Sequence, residues 1–428
     1  MTSPRPLRVA WLDLLRIFCA AEIVGFHWLR ACVKAGVLAQ EAPANFITEY
    51  RQHSWGLAGF RHLLLDHSPH QIVRFLNDTT GVVFGFGWEA VHVFVLISGF
   101  SLTLGLRDRL STAEWRQWFA KRIKRIVFPF YLVALPLAAM MAALAALPRG
   151  VVGGVLARFQ EKLLGNGAAD LFGLLVSQVL LFDPRKPLFT PVFVSPAWWF
   201  VPAILVGYLV FPFLWVSIRK IGAPAVLLTA LGVSVTSYIA VQHAQLIEFS
   251  WGFVALNEIF NFCLGIALGR FYSSPDGRRL IDRLVASNYV LAAGIGLAVA
   301  GNSVNQYAAG YPFSSLFFTV GLAICGARLA LSVSTFKWPA LVSGLDPFLI
   351  YLLHQPFAFP LAFGLVKLTG ALTPSLGILL YFGLVWQLTV LFGSAYRWIL
   401  RPRARANDSE VFASSSPNRT ERVGFARP

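Results

Sequence analysis

The fold of this chain is decided near its start, where residues 11–27 read WLDLLRIFCAAEIVGFH. This stretch is apolar enough to cross a membrane, yet it contains Asp13, Arg16 and Glu22. Ionisable side chains are costly at bilayer depth and are usually kept there for a function. The basic residues before it resemble the start of a signal peptide, but no small-residue cleavage site follows. We therefore expect a retained first transmembrane helix that carries functional groups.

The composition extends this expectation to the whole chain. Of its 428 residues, 57% are hydrophobic and 13% are charged, whereas a soluble protein has about 25% charged residues. A membrane span needs about 20 mostly apolar residues, and we predict an all-α, polytopic transmembrane helix bundle of about ten spans. An eleventh apolar stretch, 171–182, is short enough to be re-entrant or interfacial. The ten segments are 9–28, 82–104, 126–147, 197–217, 224–243, 251–269, 287–302, 313–333, 345–366 and 376–398.

Charge placement orients these segments. The chain has a formal net charge of +16, but its basic residues lie at the ends of apolar segments, as the positive-inside rule requires, and not on a nucleic-acid-binding helix. Ten spans with both termini cytoplasmic place Arg278, Arg279 and Arg283 inside and leave the outer loops 244–250 and 303–312 without Lys or Arg. We expect a multi-pass protein of a bacterial-type cytoplasmic (inner) membrane, in contact with lipid but not with nucleic acid.

Two domains follow from this topology. Residues 1–400 form the membrane domain, and residues 401–428, rich in Ser, Asn, Arg and Pro, form a disordered basic cytoplasmic tail. Two long outer loops, roughly 30–80 and 148–196, hold most of the non-membrane mass, and four histidines in the first of them show no convincing metal geometry. The four cysteines are scattered, so we expect neither a disulfide framework nor a metal site.

The first helix aligns three polar residues. Arg16 and His27 are eleven positions apart, which places them within about 20° on the helix and about 16 Å apart along it. Asp13 lies near Arg16 on the same stripe. One interpretation is an orienting Asp13–Arg16 pair with an interfacial His27. The other makes His27 a general base, since an imidazole titrates near neutral pH.

Four further features each have a structural and a functional interpretation. Arg122 and Arg125 share a helix face at a predicted cytoplasmic end, where they either anchor the topology or bind the phosphates of coenzyme A. Ser98 belongs to a Ser-Gly pair typical of close helix packing. The other candidates are His354, before a proline in mid-span, and the paired Trp198 and Trp199, which are either interfacial anchors or a surface for stacking a sugar.

Together these segments resemble the acyltransferase-3 family, multi-spanning enzymes that O-acylate extracellular glycans and related acceptors. Its D-x-L-R motif, followed after ten residues by His, corresponds to Asp13-Leu-Leu-Arg16 and His27. Its F-F-V-L-S-G-F motif resembles residues 94–100, and its R-x-x-R-I-x-P-x-Y motif resembles residues 122–131. Its Y-L-L-H-x-P motif resembles residues 351–356. The motifs occur in order across most of the predicted membrane part.

The resemblance implies a cytosolic acyl-CoA donor, most often acetyl-CoA, and a hydroxyl acceptor on a glycan or lipid-linked saccharide. It implies that His27 is essential for transfer, with Arg16 in support and Arg122 and Arg125 near the donor. We expect His27 to act either as the base or as a transient acyl carrier, and Asp13 to belong to the catalytic group. We expect the substrate to contact Ser98, Trp198, Trp199 and His354.

One departure from the family pattern concerns the acceptor. Many members carry an S-V-E-E-Q-F-Y segment where this chain has residues 201–208, and its acidic pair is replaced here by Ile204 and Leu205. The acceptor or its arrangement therefore differs. Two other functions fit parts of the sequence: a secondary transporter of a sugar or lipid-linked solute, which would use the buried ionisable groups, and a non-catalytic scaffold of a polysaccharide assembly machine.

Overall fold

The fold is described from a computed structural model, which covers residues 9–36, 71–104, 106, 110–147, 175–176, 178–181, 195–243, 255–305, 311–334 and 345–400. Within these ranges the chain forms twelve α-helices and no strand. The outer-loop histidines and the tail 401–428 lie outside them, as does half of the short segment 171–182. The helices are α1 (Ala10–Lys34), α2 (Gln71–Phe84), α3 (Gly87–Thr103), α4 (Thr112–Ala146), α5 (Phe200–Ile221), α6 (Ala223–His243), α7 (Ile259–Tyr272), α8 (Pro275–Ala286), α9 (Asn288–Asn305), α10 (Tyr311–Ser334), α11 (Pro347–Thr369) and α12 (Thr373–Leu400).

The prediction of an all-α fold is confirmed, and each of the ten predicted segments overlaps one of these helices. By length and composition, five helices of the described part could cross a membrane, or up to seven if each of two bent helix pairs counts as one span. Helices α3 and α7 are apolar but shorter. The protein is therefore a multi-pass helical bundle, and the count of ten spans with both ends cytoplasmic stays a prediction.

Helix α8 was not anticipated. Its start is defined by Ser274, whose hydroxyl accepts a hydrogen bond from the backbone N–H of Gly277 at 3.1 Å, and by Pro275 in the first turn. It is amphipathic, carries the basic cluster at 278–283, and meets α9 at an angle of 72°. A polar, basic helix at a steep angle to an apolar neighbour is typical of a segment lying in the membrane interface.

Helix α4 begins earlier than predicted. The predicted segment started at residue 126, but the helix starts at Thr112. A capping box fixes that start: Ser111 N–H donates to the Glu114 carboxylate at 2.8 Å, and Glu114 N–H donates to Ser111 Oγ at 3.3 Å. Hydropathy alone misses such a polar first turn. Arg122 and Arg125 consequently lie inside a continuous helix, about three turns after its first residue, and their position at the cytoplasmic end of the span stays a prediction.

Helix α1 is central to the bundle and packs against α3, α10, α11 and α12. Its apolar positions, such as Leu15, Val24 and Trp28, are buried. Neighbouring helices approach it closely where side chains are small. A Cβ atom added to Gly87 would clash with Phe26 and with the backbone of Glu22, so glycine permits the contact between α3 and α1. The charged residues of α1 are therefore surrounded by protein on several sides.

The Ser98-Gly99 pair confirms the close-packing interpretation. A Cβ atom on Gly99 would collide with the backbone oxygen of Phe262 on α7, and one on Gly265 would collide with the backbone oxygen of Leu96 on α3. These two glycines bring the backbones of α3 and α7 together. The contact fixes α3, which provides one wall of the cavity described below.

Candidate active site

A cavity open to the surface lies between α1, α3, α4, α5 and the start of α11. It combines a polar region, rich in arginine, with an apolar one. Four of the predicted site residues line it: Arg16, Ser98, Arg122 and Arg125. Its walls also include Ile23, Phe94, Ile97, Ser101, Ile126, Phe200, Ile204, Tyr208, Asp346 and Tyr351.

Arg16 enters the cavity from α1 and is held on two sides. Its guanidinium forms an ion pair with Asp13 at 2.5 Å, one turn earlier, and donates a hydrogen bond to Ser101 Oγ on α3. The hydroxyl of Ser101 in turn donates to the carbonyl oxygen of Ile97 at 2.5 Å. Asp13 is not part of the cavity wall. It therefore acts on the cavity by orienting Arg16.

Arg122 and Arg125 approach the same cavity from α4. The Arg122 guanidinium is half-buried and lies 5.8 Å from the centre of the Trp118 ring, a cation–π contact that holds the side chain in place. Arg125 is exposed. Tyr208, on α5, interacts electrostatically with both of these arginines and with Arg16. The sequence analysis placed Arg122 and Arg125 near the donor and Arg16 in support of His27, and it assigned no role to Tyr208.

Ser98 contributes its half-buried hydroxyl to the α3 wall. That hydroxyl donates to the carbonyl oxygen of Phe94 at 2.8 Å, one turn earlier. Its lone pairs can still accept a hydrogen bond from a ligand. Contact with substrate is geometrically open to Ser98 and stays a prediction.

Two histidines lie next to the cavity, behind Tyr351. The Tyr351 ring, which lines the cavity, lies 5.8 Å from the ring of His354. The His354 ring is stacked on His27, with 5.0 Å between centroids and 28° between planes. On α1, Ile23 lines the cavity one turn before His27. The structure thus pairs two residues that the sequence analysis had treated separately, on α1 and α11.

The environment of His354 fixes its ring. The residue is fully buried, and its Nδ1 lies 2.6 Å from the carbonyl oxygen of Tyr351. Its own carbonyl accepts a hydrogen bond from the Tyr381 hydroxyl at 2.5 Å. Tyr381 is stacked on Trp28, the neighbour of His27, with 5.1 Å between centroids. One set of contacts therefore ties α12 to both histidine-bearing helices.

The segment before α5 docks on the proline-containing part of α11. Pro356 has no N–H, which leaves the carbonyl of Leu352 without its helical partner. Trp198 fills that vacancy, since its indole N–H donates to Leu352 O at 2.9 Å. Next to it, Gln355 Oε1 accepts from Ser195 Oγ at 2.8 Å and from the backbone N–H of Ala197.

This docking favours a structural interpretation of Trp198. Its ring is completely buried and packs edge-on against Phe130, with 5.5 Å between centroids. Trp198 therefore braces the bundle through its indole N–H and its ring, and its contact with the acceptor stays a prediction. Trp199 is half-buried, and its contact with the acceptor stays a prediction.

The described residues were considered as possible metal ligands. Among the residues that the structure describes, no group of three or more His, Cys, Asp or Glu side chains could hold a metal ion. The side chains at the site carry imidazole, guanidinium and hydroxyl groups and, at Asp346, a carboxylate. Such groups bind anions, orient hydroxyls and move protons.

Comparison with known proteins agrees with this arrangement. A family model described as an acyltransferase domain, that of acyltransferase-3, matches residues 9–394. No curated protein and no solved structure matches the chain. The family match spans every described helix that contributes to the cavity and to the histidine pair. The chain belongs to the acyltransferase-3 family.

Proposed function

We propose that this membrane protein moves a short acyl group, most simply acetyl, from cytosolic acyl-CoA to a hydroxyl of an extracytoplasmic glycan or related acceptor. Membership of the family supports a membrane acyltransferase. The finer proposal rests on one observation. A single cavity holds three arginines and, next to its Tyr351 wall, a pair of stacked histidines.

The arginines suit the donor. Coenzyme A carries several phosphate charges, and a guanidinium can bind a phosphate with two parallel hydrogen bonds. Arg16 and Arg122 are half-buried, which weakens competition from water and strengthens their interaction with an anion. Arg125 adds a third positive charge at the exposed edge. Tyr208 lies among the three and can donate its hydroxyl hydrogen to a phosphate oxygen.

The distance between the arginines and the histidines suits the pantetheine arm of the donor. Arg16 and His27 are eleven residues apart on one helix, or about 16 Å at the helical rise per residue. Ile23, Phe94 and Phe200 give the cavity apolar walls. An extended pantetheine arm bound along these walls would bring the thioester toward the histidines while the phosphates stay with the arginines.

The transfer step follows from the half-buried imidazole of His27. In its neutral form, His27 takes the proton of the acceptor hydroxyl as the oxygen attacks the thioester carbonyl. The tetrahedral intermediate collapses with cleavage of the C–S bond, and the proton passes to the leaving thiolate. The products are an ester and free CoA thiol. A second route, in which His27 carries the acyl group transiently, predicts a labelled protein when acceptor is absent.

The experiment compares wild type with His27→Ala in proteoliposomes, with acetyl-CoA as donor and methyl glucoside as acceptor. We expect CoA release to fall by about 10²- to 10⁴-fold, the usual contribution of a general base. Arg30→Gln is the matched control, because Arg30 is on the same helix, outside the cavity wall, with its guanidinium 5.9 Å from the Phe26 ring. Turnover of His27→Ala at the wild-type rate would refute the assignment.

A further inference from the structure

We propose that His354 binds a second hydroxyl of the acceptor, next to the one that reacts at His27, so that the preferred acceptor is a vicinal diol such as a sugar ring provides. The inference deepens the proposed function and rests on it. It follows from three properties of His354: a fixed tautomer, a ring nitrogen whose partner is missing, and a stacked position beside His27.

The tautomer is fixed by the backbone. A carbonyl oxygen can only accept a hydrogen bond, so Nδ1 of His354, 2.6 Å from the carbonyl oxygen of Tyr351, must carry the hydrogen. In the neutral ring, Nε2 then carries the lone pair. The Tyr381 hydroxyl holds the carbonyl of the same residue, which keeps the backbone from turning. Nε2 is thus an acceptor of fixed direction, and it requires a donor from its partner.

No described residue supplies that partner. Nε2 of His354 is buried and has no hydrogen-bond partner among the residues that the structure describes. A buried polar atom is normally paired, and an exception calls for a ligand or an ordered water. If His354 only filled space between α1 and α11, an apolar ring would do so without this unpaired nitrogen.

The position beside His27 indicates which ligand supplies the donor. With 5.0 Å between their centroids and 28° between their planes, the two imidazoles lie side by side. Nitrogen lone pairs lie in the plane of each ring, so the rings do not bond each other but present neighbouring edges. His27 is half-buried and His354 is fully buried, so in this proposal the ligand enters at the edge of His27 and passes from there to the edge of His354 beside it. The reacting hydroxyl has one hydrogen, which it gives to His27, so a second donor group must serve His354.

Two adjacent hydroxyls on one ring meet this requirement. Their oxygens are separated by roughly a hydrogen-bond length, which matches two edges placed side by side. The acceptor-only nitrogen also discriminates, because a monohydric alcohol would leave Nε2 unpaired when it binds, and sites built around a substrate hydroxyl reject analogues that lack it. His354 is then a residue that determines acceptor specificity.

The test compares three small acceptors in proteoliposomes with acetyl-CoA: cis-1,2-cyclohexanediol, trans-1,4-cyclohexanediol and cyclohexanol. For wild type we expect kcat/KM for the 1,2-diol to exceed that for cyclohexanol by about tenfold or more, and that for the 1,4-diol by a similar factor. His354→Phe keeps an aromatic ring for stacking but lacks the nitrogen. We expect this variant to lower kcat/KM for the 1,2-diol to the value for the 1,4-diol.

Each variant serves as its own reference, because the ratio between acceptors does not depend on how much protein is folded. Lys367→Gln is the control on the same helix: Lys367 is exposed and absent from the cavity wall, and we expect this variant to keep the preference for the 1,2-diol. If His354→Phe retained the preference, or if wild type showed none, the inference would be overturned. Absence of CoA release with every acceptor, methyl glucoside included, would instead overturn the proposed function.

Discussion

Replacement of Arg122 by glutamine tests the donor end of the cavity. The side chain keeps a similar length and polarity but loses its charge. Arg122 is half-buried and braced by Trp118, so little entropy is lost when it binds a phosphate. A hydrogen bond to a charged group contributes about 1.5–3 kcal/mol, which corresponds to roughly a 10- to 150-fold change in binding. We expect the KM for acetyl-CoA to rise by this factor while kcat changes little.

Substitutions of the neighbouring basic residues are the comparison for the effect of Arg122→Gln on the KM. Lys121 is exposed, adjacent in sequence and absent from the cavity wall, so Lys121→Gln should leave the KM within about twofold of wild type. Arg125 lines the cavity but is exposed. An exposed ion pair contributes about 0–1 kcal/mol, and Arg125→Gln should raise the KM by at most about fivefold.

The assay follows CoA thiol release over a range of acetyl-CoA concentrations, at low and high salt. The Arg125→Gln effect should fade at high salt because the charge is screened, whereas that of Arg122→Gln should largely persist. Equal effects of Arg122→Gln and Lys121→Gln would refute a phosphate site and leave both residues as topology anchors. A fall in kcat with unchanged KM would place Arg122 away from the bound donor.

Two further substitutions follow from the contacts. Tyr208→Phe removes the hydroxyl that lies among the three arginines, and we expect the KM for acetyl-CoA to rise by about three- to tenfold, measured in the same assay; an unchanged KM would exclude contact with the donor. Trp198→Phe leaves the Leu352 carbonyl unpaired, and should destabilise the protein by about 1–3 kcal/mol in thermal unfolding of the detergent-solubilised protein. Trp199→Phe should have a much smaller effect on unfolding, and equal losses would show that the Leu352 bond is unimportant.

The apolar stretches of the sequence predicted most of the helices, because residues that contact lipid or the core of a helical bundle are hydrophobic. They missed α2 and α8, and they placed the start of α4 too late. These segments are amphipathic or begin with a polar turn, and their helicity depends on caps such as Ser111 and Ser274. A capping box at Ser111-Thr-Ala-Glu114 was readable in the sequence.

The site was predictable in part for a similar reason. Helical geometry alone put Arg16 and His27 on one face, and the structure shows Arg16 in the cavity and His27 beside it. The association of His27 with His354 was not predictable, since it joins residues more than 300 positions apart. Tyr208 was missed because an aromatic residue in an apolar span is usually part of the packing. The burial of Trp198 depends on a contact with α11 that no local pattern reports.

The contact between Trp198 and α11 links the segment before α5 to the proline-containing turn of α11. The proline at 356 frees the Leu352 carbonyl, and the indole of Trp198 restores the lost hydrogen bond. Gln355 binds the backbone that leads to this indole, and the carbonyls of Tyr351 and His354, in the same turns, hold the imidazole and the Tyr381 hydroxyl. Only the Leu352 carbonyl loses its helical partner to Pro356, and the other two accept these bonds on their second lone pairs. The interrupted helix engages a neighbouring segment and α12, and this bracing holds the His354 ring against His27, which a mechanism that places two hydroxyls side by side requires.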